Sequence, residues 1–150
     1  MAFEPVLGLD LGLTTLGISV SRSGHLATGL VNLHFHNGKF DYAIGKVLGY
    51  VKDERIAIVV LGKPAYPSGD PTQMTFVAVD FAKKLREALD QAGFKSVAIE
   101  FQDERDSTLD AAKDLHSLNM NAKRQKPIID EQASKVILER WLRNKGYDVW

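Results

Sequence analysis

Residues 5–20, PVLGLDLGLTTLGISV, place one acid inside a short apolar run that is flanked by glycines. Val6–Asp10 is typical of a buried strand, and Leu16–Ser21 alternates apolar residues with small or polar ones, which is typical of a second strand. Strand propensity disfavours aspartate at a buried strand position. The position of Asp10 therefore needs a chemical explanation, and that explanation involves other residues of the chain.

The composition is that of one ordinary globular domain. The chain has 150 residues, 45% hydrophobic and 25% charged, which predicts a single domain over 1–150 with a sizeable core. Basic and acidic residues number 19 each, so binding to nucleic acid through bulk positive charge is excluded and a local patch is required. The absence of cysteine excludes disulfides, thiolate metal sites and cysteine nucleophiles. With no secretory signal pattern and no long apolar run, we expect a soluble, cytoplasmic protein without membrane contact.

The first half of the chain predicts strands followed by a helix and another strand. A third strand over 26–36 completes an antiparallel meander with the first two. The apolar stripe of 40–53 predicts a helix, and the nearly continuous Ile/Val/Leu run of 55–62 predicts a strand that is covered on both faces.

The second half alternates helices with one more strand. Asp70 and Gln73 predict a capping box at the start of a helix that ends at Gly93. A fifth strand is expected over 95–102, a helix over 107–118, a basic loop over 119–127 and a last helix over 128–146. This order predicts an α/β layer fold whose sheet mixes antiparallel and parallel pairs.

Three acids fall at positions that such a fold brings together. Asp10 ends the first strand, Glu104 follows the fifth strand, and Asp130 lies in the first turn of the predicted last helix. Carboxyl ends of parallel strands open on one edge of a sheet, where α/β folds place their sites. Carboxylates brought close repel one another, and a hard divalent cation relieves that repulsion. Such cations assist phosphodiester displacement, so this placement predicts a metal-dependent reaction at phosphorus.

Each acid also has a purely structural interpretation. Asp10 is compatible with a cap or turn residue, Glu104 with a solvated turn, and Asp130 with an acid stabilised by the positive end of a helix. Only their joint placement favours a metal site.

Four motifs, in order, resemble those of the YqgF/RuvX family: GLDLG, LGKP…GD, DERDST and IIDEQASKVIL. The resemblance spans residues 6–142. It implies a ribonuclease H-like fold with a five-stranded mixed sheet of order 3-2-1-4-5. It also implies a nuclease in which Asp10, Glu104 and Asp130 bind Mg²⁺ or Mn²⁺ and catalyse phosphodiester hydrolysis. Family substrates imply structured RNA, with 5′-end processing of pre-16S rRNA favoured, or branched DNA at Holliday junctions.

The chain departs from the family pattern where phosphate-binding cations are expected. The family shows Lys-Arg after the first strand, whereas Thr14 and Thr15 stand at or near those places. Lys63, which replaces the leucine of a Gly-Leu-Pro loop, is a candidate to restore positive charge. A catalytically weak RNA-binding factor of ribosome biogenesis therefore stays an alternative.

The remaining nucleic-acid candidates are basic residues near the acids. Lys123, Arg124 and Lys126 form the one dense basic cluster, and Arg105 is adjacent to Glu104. We expect them to position a phosphate backbone, although a solvated loop has the same composition. LDLGLTT also resembles the phosphate-binding turn of actin-like ATPases, but those enzymes need two lobes around a cleft.

Overall fold

The computed structural model describes residues 3–104 and 122–150, with side chains from residue 133 onward in the last helix. Five strands and three helices lie in this part of the chain. They are β1 (Val6–Leu11), β2 (Thr15–Ser21), β3 (Thr28–His34), α1 (Phe40–Asp53), β4 (Ile58–Lys63), α2 (Gln73–Gln91), β5 (Ala98–Asp103) and α3 (Ala122–Asn144). The helix predicted over 107–118 and the candidate Arg105 lie outside the described residues.

The strands form one mixed sheet in the order β3-β2-β1-β4-β5, as predicted. β1 is antiparallel to β2, β2 is antiparallel to β3, and β4 is parallel to both β1 and β5. The carboxyl ends of β1, β4 and β5 therefore open on the same edge of the sheet, as predicted.

Apolar side chains cover both faces of the sheet. On one face, Leu7, Leu9 and Ile18 belong to a core that is closed by α1 and α2. On the other face, Val6 and Val60 pack against the last helix, which contributes Ile137, Leu138, Trp141 and Leu142. Strand residues alternate between the faces, so Asp10, two residues beyond Gly8 and flanked by buried leucines, lies on the α3 face. None of the helices within 3–104 and 122–150 combines the length and apolarity that a bilayer crossing requires.

The predicted cap of α2 was wrong. Thr72, in extended backbone, is the N-cap, and its hydroxyl accepts from the Thr75 backbone N–H while the Thr75 hydroxyl accepts from the Thr72 N–H. Asp70 instead accepts a hydrogen bond from the Ser68 hydroxyl within the preceding loop. Two threonines thus form the capping box. The Thr75 hydroxyl also donates to the Pro64 carbonyl oxygen, which ties the start of the helix to the end of β4.

The last helix begins earlier than predicted. Lys123, Arg124 and Lys126, expected in a loop, lie in the first turns of α3, and Asp130 lies two turns inside the helix rather than in its first turn. Alanine, lysine, arginine and glutamine in this extension all favour helices. Pro127 lies inside the helix.

Candidate active site

Asp10 is the penultimate residue of β1, and its side chain is half-buried on the α3 face. Its backbone partner on β2 is Gly17, and the register of β1 with β4 places Gly62 beside it on the other side. Both neighbouring strands therefore carry glycine next to the acid. Because glycine has no side chain, the strands leave room around the Asp10 carboxylate.

Glu104 follows β5 directly and is only 6% exposed, which is unusual for a glutamate. Its backbone N–H donates to the Lys63 carbonyl oxygen at 3.4 Å, which extends the β4–β5 pairing by one residue. A Cβ atom built on Gly62 would lie 2.5 Å from Glu104 Oε2 and 2.5 Å from Ile137 Cδ1. The Glu104 carboxylate thus occupies the space that only a glycine leaves open at position 62.

The structure brings Asp10 and Glu104 together electrostatically. Burial raises the pKa of Glu104, and the negative charges of Asp10 and Asp103 raise it further, to about 9. Loss of water disfavours the charged form of a carboxyl, and nearby like charges do the same. The acid of the first strand, Asp10, and the acid after the fifth strand, Glu104, therefore lie close enough for the charge of one to act on the other.

Hydrogen bonds between α3 and the sheet determine where Asp130 lies. Ser19 Oγ donates to the Ser134 carbonyl oxygen at 3.1 Å, and Ser134 Oγ lies 3.2 Å from the Gly8 carbonyl oxygen. Residues four apart share one face of a helix and are separated by about 6 Å along its axis. Asp130 therefore lies one turn before Ser134 along α3, on the same side of the helix. The position of its carboxylate lies outside the described side chains.

The residues present fit a divalent cation. Asp10 and Glu104 supply the oxygen ligands that Mg²⁺ and Mn²⁺ prefer, and a cation would offset the repulsion that raises the pKa of Glu104. Within residues 3–104 and 133–150, no three acidic, histidine or cysteine side chains group at metal-binding distances. A third protein carboxylate would therefore come from elsewhere in the chain, and Asp130 is the residue that the sequence predicts for it.

The predicted basic residues are distributed unevenly around this edge. Lys63 is exposed at the end of β4, with its Nζ 5.4 Å from the centre of the Phe101 ring. Lys123, Arg124 and Lys126 belong to the first turns of α3, and their side chains lie outside the description, as does Arg105. Of the five predicted cationic side chains, the structure describes that of Lys63, which lies at the same edge of the sheet as Asp10 and Glu104 but on the opposite face.

Sequence reasoning missed two polar residues near the acids. Asp103 acts on the Glu104 carboxyl through its charge. Asn32 is the β3 partner of Gly17 and so shares a row with Asp10, and both atoms of its buried amide lack a hydrogen-bond partner among the described residues. The strand register would have revealed Asn32, but no local motif marks it.

Residues 4–144 match a family described as RuvX, Holliday junction resolvase. The chain belongs to the RuvX family. A Geobacillus kaustophilus relative named "Putative pre-16S rRNA nuclease" is 31% identical over 140 residues, covering 93% of this chain and 97% of the relative. A Bacillus subtilis protein of the same name is 30% identical over 138 residues, covering 91% and 96%. The resemblance to this family is confirmed, and these names agree with the predicted enzyme class, a nuclease.

Solved structures confirm the fold of this RuvX family chain. A Thermus thermophilus RuvC in complex with a Holliday junction substrate superposes with a TM-score of 0.57 at 17% identity, covering 97% of this chain and 98% of that one. A second Thermus thermophilus RuvC structure gives a TM-score of 0.51 at 15% identity, covering 95% and 98%. The predicted ribonuclease H-like architecture is therefore confirmed.

Proposed function

We propose that this chain is a metal-dependent endonuclease that hydrolyses phosphodiester bonds in structured nucleic acid. The observation that carries the proposal is the buried Glu104 carboxyl, whose pKa is raised beside Asp10 at the carboxyl edge of the sheet. A fold gains no stability from burying an acid next to another acid. A divalent cation bound by the two carboxylates would offset the repulsion between them, which accounts for the arrangement.

In this proposal Asp10, Glu104 and Asp130 are the metal ligands and the catalytic residues. Asp10 is held by β1, Glu104 by the space at Gly62, and Asp130 by the helix that Ser134 ties to the sheet. These carboxylates would hold Mg²⁺ or Mn²⁺, which would supply an activated water and stabilisation of the charge on the leaving oxygen. The sheet positions Asp10, on β1, and Glu104, directly after β5, before substrate arrives.

The nucleic acid in this proposal is held by cations around the acidic centre. Lys63 is exposed at the same edge of the sheet, on the face opposite the acids, and Arg105, Lys123, Arg124 and Lys126 follow the second acid or precede the third one. Lysine and arginine position phosphates without reading sequence. Because the net charge is zero, binding depends on this patch and should weaken steeply with salt.

We propose structured RNA as the substrate, with 5′-end processing of pre-16S rRNA as the reaction, carried out in the cytoplasm by the single domain of residues 1–150. The names of the Geobacillus and Bacillus relatives support this substrate. The family description supports the second candidate, branched DNA at a Holliday junction. The third candidate is a catalytically weak RNA-binding factor. It is supported by Thr14 and Thr15, which stand at or near the positions where the family has Lys-Arg.

The test compares the wild-type chain with Asp10→Asn and Glu104→Gln on a pre-16S rRNA fragment and on a four-way DNA junction. Mn²⁺ or Mg²⁺ should be required, and each substitution should reduce cleavage at least about 100-fold, since even outer residues of a metal site contribute 10- to 100-fold. Glu87→Gln, at an exposed position on α2, is the matched control. Equal cleavage by wild type and Asp10→Asn would refute the proposal. Binding to RNA without cleavage would favour the binding factor.

A further inference from the structure

A second feature of the same sheet edge lies on the opposite face from the acids. A pocket of about 750 Å³ opens between the end of β4, the end of β5 and the first turns of α2. Its lining includes Lys63, Pro71, Phe76, Val79, Phe101 and Asp103. This volume is typical of small-molecule sites, which range over about 300–1,000 Å³.

Two aromatic rings of this pocket are unusually exposed. Phe76 is 65% exposed in the first turn of α2, and Phe101 is 40% exposed on β5. Large apolar side chains grouped at one exposed concave site mark binding surfaces. Neither ring belongs to the apolar core that α1 and α2 close over the sheet. Within residues 3–104 and 133–150, core packing does not account for this exposure, which points to a ligand.

Charge and position identify the class of ligand. Lys63 Nζ lies 5.4 Å from the centre of the Phe101 ring, which places a cation next to an aromatic face. That combination is typical of single-stranded nucleic acid sites, where bases stack on aromatic rings and cations hold the phosphates. Asp103, which lines the pocket, is adjacent to Glu104, and Lys63 is adjacent to Gly62. The pocket and the acidic site therefore lie on the two faces of the same sheet edge, because Asp103 and Lys63 line the pocket while their chain neighbours Glu104 and Gly62 belong to the acidic site.

We propose that this pocket binds an unpaired nucleobase of the substrate strand, stacked against Phe76 and Phe101, with Lys63 at the adjoining phosphate. The proposal rests on the proposed function, because it takes its ligand from the strand that reaches the acids. It deepens that function by naming the substrate class: a strand that is single-stranded, or unpaired at one position, close to the cleaved bond. A continuous duplex cannot offer a base to the pocket without unpairing it.

The first measurement is binding of a short single-stranded RNA, in EDTA, by fluorescence anisotropy. Phe76→Ala should weaken binding about 5- to 150-fold, the range found for loss of one aromatic stacking partner. Phe76→Trp should retain the wild-type affinity because it keeps a ring. Tyr42→Ala is the matched control, since Tyr42 is an exposed aromatic residue on α1 that does not line the pocket. Because Phe76 is mostly exposed, its replacement should leave folding stability nearly unchanged.

The second measurement reports stacking directly. RNAs carrying 2-aminopurine at successive positions should show fluorescence quenching at one position on binding to wild type and to Phe76→Trp. The quenching should be lost in Phe76→Ala and Phe101→Ala. Equal affinity and equal quenching in wild type and Phe76→Ala would overturn the proposal, as would equal weakening of single-stranded and fully duplex RNA.

The two proposals fail separately. Loss of quenching in the phenylalanine variants, without any cleavage that depends on Asp10 and a metal, would support the pocket and refute the nuclease. Metal-dependent cleavage that depends on Asp10, with unchanged binding by Phe76→Ala, would support the nuclease and refute the pocket.

Discussion

Replacing Glu104 with glutamine should flatten the pH dependence of folding stability in the metal-free protein. Burial and the charges of Asp10 and Asp103 raise the pKa of Glu104 from 4.5 to about 9. Between those pH values the folded chain holds a proton at Glu104 that the unfolded chain has released. The free energy of unfolding should therefore fall as pH rises through this window. Glutamine has nearly the same shape and does not titrate, so the variant lacks this contribution.

The magnitude follows from the width of that window. One proton taken up on folding changes the free energy of unfolding by about 1.4 kcal/mol per pH unit. From about pH 5 to about pH 8, the contribution of Glu104 therefore reaches on the order of 4 kcal/mol. Typical domains have a total stability of roughly 5–15 kcal/mol, so an effect of this size is readily measured.

The assay is urea unfolding in EDTA at several pH values, for wild type, Glu104→Gln and the control Glu87→Gln. The control should follow the wild-type curve because Glu87 is exposed on α2. Glu104→Gln should match wild type near pH 5 and exceed it progressively toward pH 8. Parallel curves for wild type and Glu104→Gln would show that Glu104 is solvated or already compensated, and the electrostatic argument for the site would fail.

Addition of a divalent cation should reverse the effect in wild type. A ligand that binds only the folded state stabilises it in proportion to the logarithm of its concentration. At pH 8, Mn²⁺ should raise the melting temperature of wild type, and the increase should be much smaller for Glu104→Gln and for Asp10→Asn. Equal increases in all three proteins would place the cation elsewhere.

Four further substitutions test how the site and the core are supported. Gly62→Ala should destabilise the protein by about 1–3 kcal/mol in urea unfolding, because its methyl group would meet a carboxylate oxygen and an isoleucine methyl at 2.5 Å. Gly45→Ala on α1, with nothing within 4 Å, should instead stabilise by about 0.5–1 kcal/mol. Ser134→Ala should cost about 1–3 kcal/mol, and a double-mutant cycle with Ser19→Ala should show coupling; additive losses would contradict the hydrogen bonds described. Phe81→Ala should cost about 3–5 kcal/mol because Phe81 is fully buried in the core, whereas a loss below 1 kcal/mol would contradict that packing.

The sheet and most helices followed from local patterns. Alternation in 16–21, the Ile/Val/Leu run before Gly62 and the stripe of 40–53 each predicted an element that the structure contains. Such patterns work because burial repeats with the period of the backbone. The start of α2 was harder to predict from the sequence, because Asp70 and Thr72 are both good caps. Only the contact of Thr75 with the Pro64 carbonyl oxygen distinguishes them.

The sequence alone predicted which residues bear the chemistry: the acid inside the first strand, the acid after the fifth and the acid before the apolar stripe of the last helix. Only the tertiary structure decided that Glu104 is buried in the space at Gly62, with its pKa raised by burial and by the charges of Asp10 and Asp103. A carboxyl's pKa depends on the water it has lost and the charges around it, and both come from segments far apart in the chain. The pairing of Asn32 with Gly17, and the presence of Phe76 and Phe101 in one pocket, depend on the packed sheet and helix for the same reason.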